Sequence, residues 1–454
     1  MLYLKTMPKW EKICQRIIEY SFSALFILVP LILTPWNYEL FEFNKMLGVY
    51  ILTAIIVGAW LAKMILERRI IFRRSFWDIP LLIFLISQFL SFLVSVDRHT
   101  SFWGYYSRFN GGLLSIICYL LLYWALVSNI NNPLFIIHNS LFTAILVAGY
   151  GIAEHFGVDA KYWVQDVKNR VFSTLGQPNW LAAWLVGLTP LTWGFGLNLK
   201  FKKENLKSYF YFLLFTFYFL TLLFTRSRSG LLGFGAAFLV FWSLAFVLNR
   251  QEWKKILQPF LIFTFSILLF TFTFGRDWVP GVKQISSLTK KRICVILSNC
   301  QTQPTTSNPQ PTTSNQQPAA ILISESGDIR KVVWKGAVEI WRHYPIFGTG
   351  PETFAYSYYW YRPREHNDLS EWDFLYNKAH NEYLNYLATT GMFGLASYLL
   401  IIAIFIISNF QLPASRDSFG MPNSKLTSPF SPSGLKGMIL LVRAKSVSPA
   451  FFSL

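Results

Sequence analysis

Short polar clusters divide the chain into long apolar blocks, and within those blocks neither a clean helical nor a two-residue alternation stands out. A hydrocarbon core of about 30 Å requires roughly 20 apolar residues as a helix. Nine blocks meet this before a long hydrophilic stretch: about 17–34, 46–66, 79–96, 111–128, 135–153, 180–197, 208–225, 229–248 and 256–274, and a tenth runs from about 391 to 408. Backbone groups that face lipid have to satisfy one another, so each block is expected to be a helix. The pattern predicts an all-α fold, a polytopic membrane bundle of about ten transmembrane helices with one large extracytoplasmic loop.

Composition supports that reading. Of 454 residues, 53% are hydrophobic and only 14% charged, against roughly 25% charged in soluble domains. The net charge of +18 would suit a nucleic-acid partner, but no basic stretch is interleaved with base-stacking aromatics. Basic residues in short loops instead act as topology signals and contacts for membrane lipids. The four cysteines make no disulfide framework. Cys14 and Cys118 sit near or within apolar blocks, while Cys294 and Cys300 share the long loop and could pair.

Lys and Arg placement sets the expected orientation. With a cytoplasmic N-terminus, the inner loops carry Arg68, Arg69, Arg73 and Arg74, then Lys200, Lys202, Lys203 and Lys207, then Arg250, Lys254 and Lys255. The basic start followed by a long apolar run without a small-residue cleavage site reads as a retained first helix. The organisation expected is a cytoplasmic segment 1–16, a nine-helix bundle 17–274, an extracytoplasmic loop 275–380, a last helix 381–408 and a cytoplasmic tail 409–454. Within the loop, 301–318 repeats Pro-Thr-Thr-Ser-Asn amid Gln and Pro and is expected to be disordered. From 329 to 380 the loop turns aromatic, with Trp334, Trp341, Phe354 and several tyrosines, and is expected to form a small cap. Such aromatics serve equally as an interfacial belt or as stacking faces for sugar rings.

Ionisable groups beside membrane spans are functional candidates. Arg226-Ser227-Arg228 lies in an outer turn between two apolar helices, against the local charge rule. These guanidinium groups either snorkel to lipid head groups or form a phosphate site, with free N–H groups from a helix expected to start near Ser229. His380, with Asn381 directly before the last apolar block, either makes an interfacial hydrogen bond or exchanges a proton near neutrality. Arg330, Arg342 and Glu352 share its loop. A third outer turn runs from Arg170 to Asn179; Asn179 is expected as a helix N-cap and Arg170 is open. The remaining histidines lack paired ligand spacing, so no metal site is expected, and no Gly-rich nucleotide loop is present.

Four patterns in order resemble the bacterial O-antigen ligase and O-antigen polymerase family: Gly176-Gln-Pro-Asn179; Ser227-Arg228 with Gly230; Arg330 followed by Trp334 and by His343-Tyr-Pro-Ile-Phe-Gly348-Thr-Gly350; and His380-Asn381 leading to Gly391-x-x-Gly394. The resemblance covers roughly residues 17–408. It implies a GT-C-like helical fold in a bacterial plasma membrane that transfers a glycan from undecaprenyl pyrophosphate to a glycolipid or other surface acceptor, without metal or nucleotide cofactor. It also implies pyrophosphate binding by Arg228 and Arg330, aided by Arg226 and Arg170, with His380 at the reacting centre and Asn381, Ser227, Glu352 and Asn179 in support. A polymerase, a protein O-oligosaccharyltransferase and a lipid-linked sugar transporter or flippase are the rival readings.

Overall fold

The computed structural model describes residues 9–34, 39–106, 108–197, 206–248, 250–275, 277–279, 282 and 326–410. The Cys294–Cys300 pair, the repeat at 301–318 and the segment after 410 lie outside the described residues.

Among the described residues, thirteen α-helices follow in order: α1 Lys9–Leu31, α2 Glu42–Leu66, α3 Asp78–Leu93, α4 Arg98–Trp103, α5 Leu113–Asn129, α6 Leu134–His155, α7 Pro178–Leu197, α8 Leu206–Phe224, α9 Arg228–Leu248, α10 Trp253–Phe274, α11 Ser326–His343, α12 Phe354–Tyr361 and α13 Glu382–Phe410. Among the described residues, seven are long and apolar enough to cross a membrane, and three shorter apolar helices (Asp78–Leu93, Leu113–Asn129 and Tyr209–Phe224) pack with them. Large apolar side chains on these helices point outward, Ile65 at 76%, Leu232 at 77% and Phe265 at 66% exposure. In water such a surface would aggregate; in lipid it is the natural exterior, and the chain is a multi-pass membrane protein.

Two packing centres hold the bundle. Ile18, Phe22, Met46, Ile56 and Trp60 join α1 and α2 to α5. In the second half, Trp193 sits among Phe215, Phe234, Phe241 and Trp242, and Phe263 packs on Phe215 and Trp242, bringing α7 to α10 together. Tilted and edge-on rings of this kind favour close packing where lipid supplies no hydrophobic drive between helices.

Buried lysines mark the two ends of α2. Near one end Lys63 donates to Gln15 Oε1 at 2.8 Å and Asn129 Oδ1 at 3.3 Å. Near the other, Lys45 donates to the carbonyls of Ile32 and Thr174, both at 2.6 Å. An ammonium in a membrane bundle requires such partners. Lys45 thereby ties the segment after α1 to the loop after α6.

The last helix departs from its sequence pattern. The apolar run begins near 391, yet α13 starts at Glu382 and breaks at Gly391, whose φ is 66°. Residues 382–390 mix Glu, Asn and Thr with apolar positions, which hides them from hydropathy. Residues 345–350 enter the break: Met392 and Phe393 donate to the carbonyls of Pro345 (2.9 Å) and Ile346 (3.2 Å), and Thr349 and Gly350 to those of Ala388 (3.3 Å) and Thr389 (2.7 Å). A Cβ on Gly391 would collide with the Ile346 carbonyl, so both the dihedral and the close approach require glycine.

Candidate functional site

The turn between α8 and α9 is organised by side-chain oxygens. α9 starts at Arg228, one residue before the start expected at Ser229, because Ser227 is its N-cap: its Oγ accepts the Gly230 N–H at 3.0 Å. The same hydroxyl donates to Asn179 Oδ1 at 2.8 Å. Arg170 donates to that oxygen at 3.2 Å and, through Nε, to the Thr225 carbonyl at 3.2 Å. Asn179 is therefore not a helix cap. α7 begins at Pro178, and the N–H groups of Trp180 and Leu181 bond to the Gln177 carbonyl; proline suits this first position because its missing N–H would have no helical partner. The Asn179 side chain is left to join two loops. Arg226, half-buried at φ 49°, and Arg228, exposed, stand on this hydrogen-bonded base.

The second part of the site comes from the cap. Ile329, Val333, Ala337 and Ile340 form one face of α11 and pack with Phe354, Tyr358, Tyr376 and Ala379. Trp334, one turn after Arg330, donates from Nε1 to the Ala379 carbonyl at 3.0 Å. This bond fixes the chain just before His380 against the α11 face that carries Arg330. Asn381 caps α13, its Oδ1 accepting from Tyr383 (3.1 Å) and Leu384 (3.3 Å). His380 itself has φ 52°, a conformation that costs a non-glycine residue about 1–3 kcal/mol.

The His380 ring meets Tyr376 edge-on, centroids 5.6 Å apart. One side is open to solvent, yet the surrounding protein still removes enough water from the imidazole to lower its pKa below the usual 6.5. Arg330 and Arg108 add to the fall, while Glu371 opposes it. At neutral pH the ring is accordingly uncharged and able to accept a proton.

Arg108 was not marked by any motif. It lies in the loop before α5, its Nε 4.0 Å from Glu42 Oε2 and its guanidinium 5.5 Å over the Trp180 ring. Trp180 adjoins Asn179, so Arg108 connects the α8–α9 base with His380. The available signal was a basic residue directly before an apolar block. Below it, Glu352 is buried at φ 59° with Oε1 3.3 Å from Lys378 Nζ. Gly111 makes room for this carboxylate, since a Cβ there would overlap it. Glu352 Oε2, Glu42 Oε1 and Asn110 Oδ1 are buried without a hydrogen-bond partner. Burial works against the Lys378 ammonium, but Glu352, Glu382 and Glu42 outweigh it and raise its pKa.

Other sequence candidates have local roles. Arg342 pairs with Glu339 at 3.2 Å, and His366 is buried between Tyr358 and Tyr376 with Nδ1 2.8 Å from the Tyr358 hydroxyl. His155 stacks on Phe224, centroids 3.8 Å apart.

Ten apolar helices with lipid-facing flanks, and a cluster of arginines, carboxylates and one histidine at a single end, define a polytopic helical membrane protein with a polar site at the bundle's rim. Residues 210–399 match the family model described as O-antigen ligase. The match supports a membrane glycosyltransferase of the ligase or polymerase type. The match holds Arg226, Ser227, Arg228, Arg330, Glu352, His380 and Asn381, whereas Arg108, Arg170 and Asn179 precede it. No curated protein matches the chain.

Proposed function

We propose that the chain transfers a glycan from undecaprenyl pyrophosphate to a glycolipid or other surface acceptor on the outer side of a bacterial plasma membrane, with its N-terminus in the cytoplasm. The observation that carries this reading is the Trp334 bond to the Ala379 carbonyl, which seats His380 against the helix that bears Arg330, at the bundle end that also bears the Arg226–Arg228 turn.

An acceptor hydroxyl attacks the anomeric carbon as the bond from that carbon to the pyrophosphate oxygen breaks. The hydroxyl proton passes to His380, a step typically worth 10²–10⁴-fold in rate. The departing pyrophosphate carries the growing negative charge. Arg228 and Arg330 meet it with planar forks of N–H donors, Arg226, Arg170 and Arg108 add positive potential, and fixed donors at a partly dehydrated site need little rearrangement. Attack from the opposite face inverts the anomeric centre. Asn179 and Ser227 hold the arginine turn, Asn381 holds His380, and Glu352 anchors Lys378 beneath.

Reconstitution with a lipid-pyrophosphate-linked glycan and an acceptor tests the proposal. A new glycoconjugate is expected from the full chain, with little from His380→Ala or Arg228→Lys. Wild-type turnover in both variants overturns the role assignments, and movement of glycan across the bilayer without bond formation supports a transporter instead. The identity of the glycosylated product separates ligase, polymerase and protein glycosylation.

A further inference from the structure

Helix α11 divides its faces between two tasks. One face fills the cap core; the neighbouring face forms a wall of an open groove of about 780 Å³, and residues 360–365 form the other wall. Lys335 and Arg342 line one wall and Arg364 the other, beside Arg362, which donates to the Trp372 carbonyl and to Asn367 Oδ1, both at 3.0 Å. Trp360, 79% exposed, and Tyr361 lie on the far wall, with Trp334 on the near one. Trp334 is also the residue whose indole holds the Ala379 carbonyl. The groove thus backs directly onto the backbone that positions His380.

The lining joins flat aromatic faces to cations, with Glu339 and Glu365 as its carboxylates. Lys335 pairs with Glu365 at 3.0 Å and Arg342 with Glu339 at 3.2 Å, with Lys335, Glu365 and Arg342 largely exposed and Glu339 half-buried. Surface pairs of this kind contribute little, so a ligand carboxylate or phosphate can replace the internal partner at small cost. Exposed aromatic rings beside such cations suit a ring with an apolar C–H face and an anionic substituent.

We propose that this groove binds the saccharide chain of a substrate, specifically one carrying carboxylate or phosphate groups, and guides it toward His380. The proposal rests on the glycan-transfer reading above, but its test does not depend on turnover. Full-length protein in neutral-lipid nanodiscs is titrated with an oligogalacturonate and with a neutral malto-oligosaccharide of equal length. Contacts from the Arg342 and Arg364 guanidinium groups should make the charged probe bind about tenfold tighter, with an advantage that shrinks as salt rises. An Arg342→Gln/Arg364→Gln variant should lose that advantage, the corresponding lysine variant should retain part of it, and Trp360→Ala should weaken both probes. His380→Ala should bind the charged probe as the wild type does. Equal affinity for the two probes, or unchanged binding in the glutamine variant, overturns the groove assignment and leaves the role of His380 standing. Full activity in His380→Ala with charge-selective binding intact would do the reverse. Transfer assays with the charge on the donor glycan or on the acceptor identify its source, by which KM rises in the glutamine variant.

Discussion

The Arg108 guanidinium lies 5.5 Å over the Trp180 ring while its Nε faces Glu42 at 4.0 Å. A loop before α5 is thereby fixed to the start of α7 and aimed at His380. Because Arg108 is one of the positive charges that lower the His380 pKa below 6.5, its removal favours the imidazolium. The acid limb of the pH–rate profile should lie below pH 6.5 in the wild type and move upward in Arg108→Gln. Arg108→Lys, which keeps the charge, should leave the limb in place. An unshifted limb in the glutamine variant would show that Arg108 does not act on the histidine.

Asn179 joins Arg170 and Ser227 through a single oxygen. Asn179→Ala leaves both donors without that acceptor and should cost about 1–3 kcal/mol, read as a fall in thermal midpoint in detergent. Asn179→Asp preserves the acceptor and should be tolerated far better. Equal losses in the two variants would mean that the oxygen is not what holds the turn.

Glu352 and Lys378 form a largely buried pair. Glu352→Ala leaves the ammonium without its nearest carboxylate, and breaking such a pair costs about 3–5 kcal/mol. The double variant Glu352→Gln/Lys378→Met should recover much of that loss. Additive losses around the double-mutant cycle would argue against coupling.

At Gly391, φ 66° and the adjoining Ile346 carbonyl leave no room for a side chain. Gly391→Ala should reduce folded yield sharply, with a penalty of about 1–3 kcal/mol from the backbone alone. Gly58, with nothing within 4 Å of its Cβ position, is the control and should accept alanine without loss. Similar yields for the two variants would contradict the inserted-segment geometry.

The ten apolar helices were legible because a membrane span is declared by composition over its whole length. His380 and the Arg226–Arg228 turn could be picked out because polar groups are conspicuous beside such spans, and Arg330 through the family resemblance. Arg108 and Glu42 were not, since each is a single charge at a loop edge and gains meaning only when distant loops converge. Asn179 was misread for a related reason. Its position beside Pro178 suited a cap, but only folding brings Arg170 and Ser227 to its oxygen. The break in α13 was hidden because its insert comes from residues 345–350 and is not contiguous with the helix.

Threading 345–350 into the interrupted α13 has a mechanical consequence. The amides of Gly350 and Met392 are shared between the cap and the last apolar helix, so the roof cannot lift independently without unravelling part of its own supporting column. Hydrogen exchange at these amides should therefore follow the opening of that helix and keep a common rhythm on both sides of the joint.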